Sequence, residues 1–401
     1  MIEITEKKNC CGCTACAAIC PKECISMRED AEGFLYPAID KAKCIACELC
    51  EKVCPISNVK SEQKFEQEAY VVQNKNQKVL RESTAGGAFT AIAKYVLRHG
   101  GVVFGVELSD RIVAHHVYVE TEKDLARFRN SKYVQSDMGG GYTFRNVKSF
   151  LNQGRLVSFS GTPCQIEGLK SYLKREYENP ITVDVVCRAV PSPLIFRKYV
   201  EYQEEKLADH IQTVRFRDKH YGYKYSTMNV ITDKNKGNYH QGVESDPWLR
   251  AFFSNICDRP SCHNCHFRKQ YRVSDFTIWD CFHAGRFSKE LDNDKGATRV
   301  LVHSEKGKRI FAAIKEDFSY IQTQPEDIVA GVKEMKESVA ENPDREEFFM
   351  DANRMDGVQL FRKWFPDTWK VIVERTARLV CYRLGIYSAA KKVYVRLTHK
   401  Y

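Results

Sequence analysis

Between residues 69 and 330 the apolar positions switch repeatedly between a continuous run and a three-to-four-residue spacing. A helix is predicted to open after Ser83-Thr84-Ala85-Gly86-Gly87. Phe89, Ile92, Ala93, Val96 and Leu97 share one face of it, and Gly100-Gly101 stops it. Val102–Leu108 then reads as a buried strand. Two further units repeat the pattern. Leu156–Phe159 is a strand, Ser160-Gly161-Thr162-Pro163 a turn, and Ile166, Leu169, Tyr172 and Leu173 one helical face. Ile181–Val186 is the next strand, followed by a Pro191-Ser192-Pro193 turn and a helix through Ile195, Tyr199 and Val200. Residues 211–240 look instead like hairpin strands, at Val214–Phe216 and Tyr225–Thr232.

Strands alternating with helices predict an α/β body with a largely parallel or mixed sheet. The polar stretch 58–68 reads as a linker before it. The fold class is therefore a multidomain α+β and α/β chain. A small N-terminal module covers 1–57, a mixed α/β domain 69–330, and a helical basic tail 331–401.

Charge refines the picture at one end only. The chain has 401 residues and a formal net charge of +10, of which +8 falls between Arg362 and Tyr401. A chain-wide basic surface for nucleic acid is thus not expected. The tail interleaves its cations with Trp364, Trp369, Val371, Ile372, Leu379, Val380 and Leu384. That pattern suits either a basic amphipathic helix on an anionic membrane or a helix packed on its own core with a solvated basic face. No apolar run approaches the roughly 18 residues of a membrane span. The first residues lack a basic and an apolar signal region, so the expected location is the cytoplasm, with its inner membrane face available to the tail.

Seventeen cysteines change the picture more. Cys10-x2-Cys13-x2-Cys16-x3-Cys20-Pro21 is repeated as Cys44-x2-Cys47-x2-Cys50-x3-Cys54-Pro55. This doubled run is the signature of two 4Fe-4S clusters, each completed by the cysteine before the proline of the other run. The expected ligand sets are Cys10, Cys13, Cys16 and Cys54, and Cys44, Cys47, Cys50 and Cys20. Exposed clusters of this kind are oxygen-sensitive, so an anaerobic setting is expected. Cys11 and Cys24 are left over as packed thiols. A further group, Cys257-x4-Cys262-x2-Cys265, with Cys187 upstream, can hold a third cluster. Zinc stays open for it, because His263 and His266 lie beside the thiols.

Several stretches together resemble the beta subunit family of coenzyme F-420 (deazaflavin) hydrogenases and dehydrogenases, in the form with a fused N-terminal 2x(4Fe-4S) ferredoxin domain. They are Ser83–Gly87, Ser131-Lys-Tyr-Val-Gln135, Gly161-Thr-Pro-Cys-Gln-Ile166, Val186–Pro193, Arg259-Pro-Ser-Cys-His-Asn-Cys265, Ser274–Ile278 and Lys295–Thr298. The resemblance implies a flavoprotein that binds FAD beside an iron-sulfur cluster and exchanges hydride with a soluble carrier. It favours a cluster at Cys187, Cys257, Cys262 and Cys265. This chain departs from the family at Arg188-Ala189, where His-Gly is common, at Cys281-Phe282-His283 after Asp280, and at Thr298, where Ser is common.

On that resemblance, Ser83, Thr84, Gly86 and Gly87 become candidates for cradling the FAD pyrophosphate at a helix N-terminus; on their own they read as a plain cap. Ser131, Lys132, Tyr133, Gly161, Thr162, Pro163, Cys164 and Gln165 complete the candidate cofactor set. Lys132 can equally be a solvated surface lysine. Cys164, at a helix N-terminus, is expected to have a lowered thiol pKa and to line the cofactor without covalent chemistry. Cys281 and Cys381 read as structural thiols, and His115-His116 as packing on a strand. No catalytic residue is assigned. The function read from all this is an FAD- and 4Fe-4S-dependent oxidoreductase moving electrons between a hydride carrier and ferredoxin-like clusters. The alternatives are a non-catalytic electron-relay subunit feeding a redox partner protein, or a redox accessory in bacterial surface-polysaccharide synthesis.

Overall fold

The computed structural model describes residues 1–234 and 239–387, so the last part of the expected tail, 388–401, lies outside the described residues. In the N-terminal module β1 (Ile25–Glu29) and β2 (Leu35–Ile39) pair antiparallel. The body holds an eight-stranded sheet. Its strands are β3 (Glu68–Asn74), β4 (Val102–Leu108), β5 (Ala114–Val119), β6 (Val157–Gly161) and β7 (Pro180–Val185), joined later in the chain by three more. A separate three-stranded antiparallel sheet intervenes, formed by β8 (Ile211–Asp218), β9 (Thr227–Thr232) and β10 (Tyr239–Gln241). The large sheet is completed by β11 (Phe276–Asp280), β12 (Thr298–Val302) and β13 (Phe318–Thr323).

Strand order in the large sheet is β13-β3-β12-β11-β7-β6-β4-β5. The inner four, β11, β7, β6 and β4, run parallel, and the flanking strands are antiparallel. Val102–Phe104, Val157–Phe159 and Ile181–Val183 are buried throughout, as strands covered on both faces must be. Helices Ala88–Arg98 and Glu305–Ile314 cover one face, while Tyr142–Asn152 and Pro163–Leu173 cover the other.

The parallel strands end on one edge, at Gly161, Val185 and Asp280. Loops at the carboxyl ends of parallel strands are where α/β sheets place their ligands. All three lead into residues singled out by sequence: Thr162–Gln165, Cys187 and Cys281.

Two expected boundaries shift. The linker ends early, because Gln67 is buried, donates to the Gln270 carbonyl and leads straight into β3. The tail begins later than 331. Helices Arg345–Ala352 and Gly357–Trp364 bury Phe348, Phe349, Leu360 and Phe361 in the same core as Tyr199 and Trp248. The body therefore runs through Phe365. Among the described residues the helix Trp369–Arg383 is less embedded: it packs on Tyr221 and Tyr225 through Tyr382 and Arg378, and Val371 is its one buried residue.

Candidate metal centres

The N-terminal cysteines gather in two crossed sets. Cys16 lies in the field of Cys10 and Cys54, and Cys10 in that of Cys54. Cys20, Cys44, Cys47 and Cys50 line one concavity of about 370 Å³, with Cys24 beside Cys20 at 3.3 Å. The structure thus places Cys10, Cys16 and Cys54 near one another, and Cys20 with Cys44, Cys47 and Cys50. The first set is deep and the second shallow: Cys47 is exposed, as is its neighbour Ile45. Burial pushes the thiols of Cys10 and Cys16 upward. They would hold a proton unless iron took its place.

A second cavity, of about 550 Å³, opens at the carboxyl ends of β6 and β7. Its thiols are Cys164, Cys187, Cys262 and Cys265, with Cys11 of the N-terminal module reaching into it. Cys257 is not among them. It is wholly buried in the hydrophobic core with Ile195, Trp248 and Ile256, and burial drives its thiol well above its ordinary value.

The expected set is therefore corrected, with Cys164 standing where Cys257 was placed. The reason lies in the backbone. The Cys257 carbonyl accepts from Ser192 N at 2.9 Å, Asp258 bridges to Pro191, and Arg259 N donates to the Val190 carbonyl at 2.9 Å. This pins 257–259 against the 190–192 turn, and the thiols reach the cavity only from the short turn Pro260–Cys262 onward.

Cys164 follows the capping box made by Thr162 and Gln165. Its thiol is raised, not lowered. A hydrogen bond with the Cys11 thiol and then burial outweigh the helix terminus. The four thiols ring a cavity and do not close on one ion position; among the described residues no three His, Cys, Asp or Glu side chains do so.

Arg188, Arg259, Arg268 and Arg272 line the same cavity. Arg268 donates to the Cys187 carbonyl at 2.9 Å, and Arg272 to the Val185 carbonyl at 2.9 Å and to Asp184 at 3.1 Å. The buried Nε atoms of Arg188 and Arg268 have no hydrogen-bond partner. Unpartnered guanidinium nitrogens beside half-buried thiols fit an anionic, thiolate-bound tenant. Sequence reasoning gave none of these arginines a role at the cavity; Arg188 stood out only as a departure, and Arg259 only as the start of a matched stretch, three residues before the turn thiol Cys262.

The candidate cofactor residues split into two places. Thr162, Pro163 and Cys164 line the thiol cavity. Gly161 ends β6 beside them, and Gln165 donates to Ser136 at 3.2 Å. Ser83–Gly87 and Ser131–Tyr133 form a separate cradle. Ser131 N donates to Thr84 Oγ1 at 2.7 Å, and the two hydroxyls lie 3.0 Å apart. Gly86 N donates to Thr298 Oγ1 at 2.7 Å, which gives the departure at Thr298 a structural role. Helix Ala88–Arg98 starts at Gly87 without a side-chain cap.

Cations surround this loop. Arg215 donates to the Glu82 carbonyl at 3.0 Å, and Lys219 to the carbonyls of Leu80, Ala85 and Lys295 at 2.7 Å each. Arg129 pairs with Glu82 and leaves its buried Nε unpartnered. Lys132 is half-buried. Its amine donates to the Arg127 and Arg129 carbonyls at 3.1 and 3.0 Å, and burial draws its pKa down to about 7.

Tyr133 stacks on Phe252 and accepts from Arg217, which also pairs with Asp280 at 3.2 Å. Phe282, another departure, stacks on Tyr223 with ring centres 5.1 Å apart. Arg188 donates to Asn255 Oδ1 at 2.8 Å. His116 is buried against Phe159. Cys281 is a core residue, while Cys381 sits half-buried on the last helix.

Residues 154–328 match the family described as the C terminus of the coenzyme F420 hydrogenase/dehydrogenase beta subunit. Residues 9–58 match the 4Fe-4S dicluster domain. Among solved structures, a chain of the xenon-derivatised F420-reducing [NiFe] hydrogenase complex from Methanosarcina barkeri is 16% identical, with 75% of this chain and 91% of that chain covered and a TM-score of 0.44. No curated protein matches.

Proposed function

We propose that this chain, whose residues 154–328 belong to the coenzyme F420 hydrogenase/dehydrogenase beta-subunit family and follow a 4Fe-4S dicluster domain, is an iron-sulfur flavoprotein oxidoreductase. It moves electrons between a hydride carrier of the deazaflavin type and ferredoxin-like clusters, with FAD at the junction. The observation that carries this reading is the thiol cavity of the body, ringed by arginines and touched by Cys11 of the dicluster module. Cys164, Cys187, Cys262 and Cys265 would hold a third cluster there, and the arginines would offset its negative charge. A bound flavin accepts two electrons as hydride and releases them singly, which is the conversion that such a junction needs.

The residues divide the remaining work. The uncapped amides at the start of Ala88–Arg98, with Arg129, Arg215 and Lys219 near the preceding loop, suit a diphosphate. Tyr133, Arg217, Asp280 and Phe282 form a polar and aromatic wall that would orient a ring system. Electrons would leave through the deep set at Cys10, Cys13, Cys16 and Cys54, then the shallow set ending at exposed Cys47. A redox partner protein would meet the chain at that edge.

Helix Trp369–Arg383 supports one further element of the reading. Trp369, Val373, Val380 and Leu384 are exposed on the side opposite Val371, with Lys370 and Arg383 nearby. This suits peripheral contact with the anionic inner face of a membrane.

Anaerobic purification, flavin extraction and metal counting test the proposal. FAD with about twelve irons is expected for three cubanes; about eight irons without flavin overturns it in favour of a simple relay. Cys164→Ser should lose about four irons and Cys257→Ser none. The reverse result returns Cys257 to the ligand set in place of Cys164, and zinc in place of the lost iron removes the third cluster from the scheme.

A further inference from the structure

Arg259 lies between the N-terminal module and the thiol cavity of the body, and it is almost wholly buried. Its Nε donates to the Cys10 carbonyl at 2.8 Å, and its NH2 group donates to the Leu35 carbonyl at 3.0 Å and approaches Cys10 Sγ at 3.6 Å. NH1 donates to Gln135 Oε1 at 2.8 Å. The guanidinium lies over the rings of Tyr36, at 4.3 Å, and Phe34, at 5.3 Å. The same side chain lines the cavity of Cys164, Cys187, Cys262 and Cys265, and its backbone opens the turn that carries Cys262. Among the described residues no carboxylate hydrogen-bonds to it; its acceptors are two carbonyls, a side-chain amide oxygen and a thiol sulfur.

A buried guanidinium without a carboxylate partner is costly unless an anion lies nearby. With the proposed clusters bound, the anions within reach would be the thiolate-ligated clusters of the two centres. A cluster gains one negative charge on reduction. A fixed cation and an N–H···S bond therefore stabilise its reduced form more than its oxidised form, which raises its potential.

We propose that Arg259 is a positioning residue for electron transfer between the two centres. It raises the potential of the cluster at Cys10, Cys13, Cys16 and Cys54, and it fixes that cluster against the body centre. One electron passes per event and no proton moves: one centre is oxidised as the other is reduced. The inference rests on the clusters proposed above, but it concerns a residue that ligates neither of them.

The test is a potentiometric titration, followed by electron paramagnetic resonance, on the full chain purified anaerobically. Iron is counted first. Wild-type chain with fewer than about twelve irons sinks the three-cluster reading before any potential is read.

With the clusters in place, Arg259→Leu should shift one reduction step downward, so that its reduced-to-oxidised ratio at a fixed solution potential falls about tenfold, or about 59 mV for one electron. The other steps should stay in place. Arg259→Lys keeps the charge and should recover most of the shift. Loss of packing alone would lower stability without selecting one step. Reduction steps that superimpose on wild type in Arg259→Leu overturn the proposal. Should that variant fail to hold iron, Gln135→Leu decides: it frees one arm of the guanidinium and should move the same step in the same direction, and no movement overturns the proposal.

Discussion

Gly12 sits in the left-handed region, with φ at +71°, inside the first cysteine loop. A Cβ there would lie 2.6 Å from Gln135 Nε2 and 3.0 Å from Arg259 NH1. Gly12→Ala should therefore cost about 1–3 kcal/mol through backbone strain alone, and should also displace the Arg259 fork. Denaturant unfolding of the anaerobic protein would measure the first effect. Acid sensitivity also belongs to single residues. Burial lowers His116 to about 4 and His303 to about 3, so both stay neutral in the folded chain. The unfolded chain takes up protons near the ordinary histidine value. Stability is therefore full above about pH 6.5 and declines as pH falls toward 4. For His116 the linkage amounts to about 3 kcal/mol. His303 is held by Gln67 and Thr277, each at 2.7 Å. In His303→Gln the decline in denaturation midpoint between pH 6.5 and 4.5 should be visibly shallower than in wild type.

At the level of elements, the helix Pro163–Leu173 is shared by both redox regions. Cys164 at its start faces the body cavity. One turn on, Gly168 lies against the N-terminal module, where an added Cβ would meet Cys13 Sγ at 2.8 Å. Gly168→Val should push the Cys13 loop away and lower iron content by about four atoms while the sheet still folds; metal analysis with circular dichroism would show both. This element also marks what was legible in the sequence. Strand β4 coincides with its predicted span and the helix after Gly87 lies where it was expected, because their apolar spacing is local information. The doubled cysteine run likewise encodes its own crossing. The body centre was less legible. Cys257 and Cys262 are close in sequence, but three backbone contacts to the 190–192 turn send the first into the core. Cys164 is some 90 positions upstream and joins through sheet topology, which no spacing records. The tail boundary failed for a similar reason: Phe348 and Phe361 find their partners in helix Pro193–Leu207 and at Trp248, far back in the chain.

Across the whole molecule, the two ends of the chain differ in how they are attached. The last helix offers an apolar face with flanking cations, and among the described residues no helix is long and apolar enough to cross a membrane. Sedimentation with vesicles of anionic phospholipid should carry the full protein down, and replacing Trp369, Val373, Val380 and Leu384 by Ser should leave it in the supernatant; equal sedimentation of both removes the membrane contact. The N-terminal module is attached quite differently. Cys13, Ala15, Ala18 and Val53 join the core under the sheet, Phe34 enters the core beside Trp248, and Arg345 grips Glu32 through two bonds of 2.9 and 2.8 Å. Such a module cannot detach and diffuse as a free ferredoxin does. On the proposed function a redox partner would have to come to it, and the exposed rim at Ile45 and Cys47 is the proposed landing place. Two acceptor proteins supplied together should then compete for that one berth, each slowing the other's reduction.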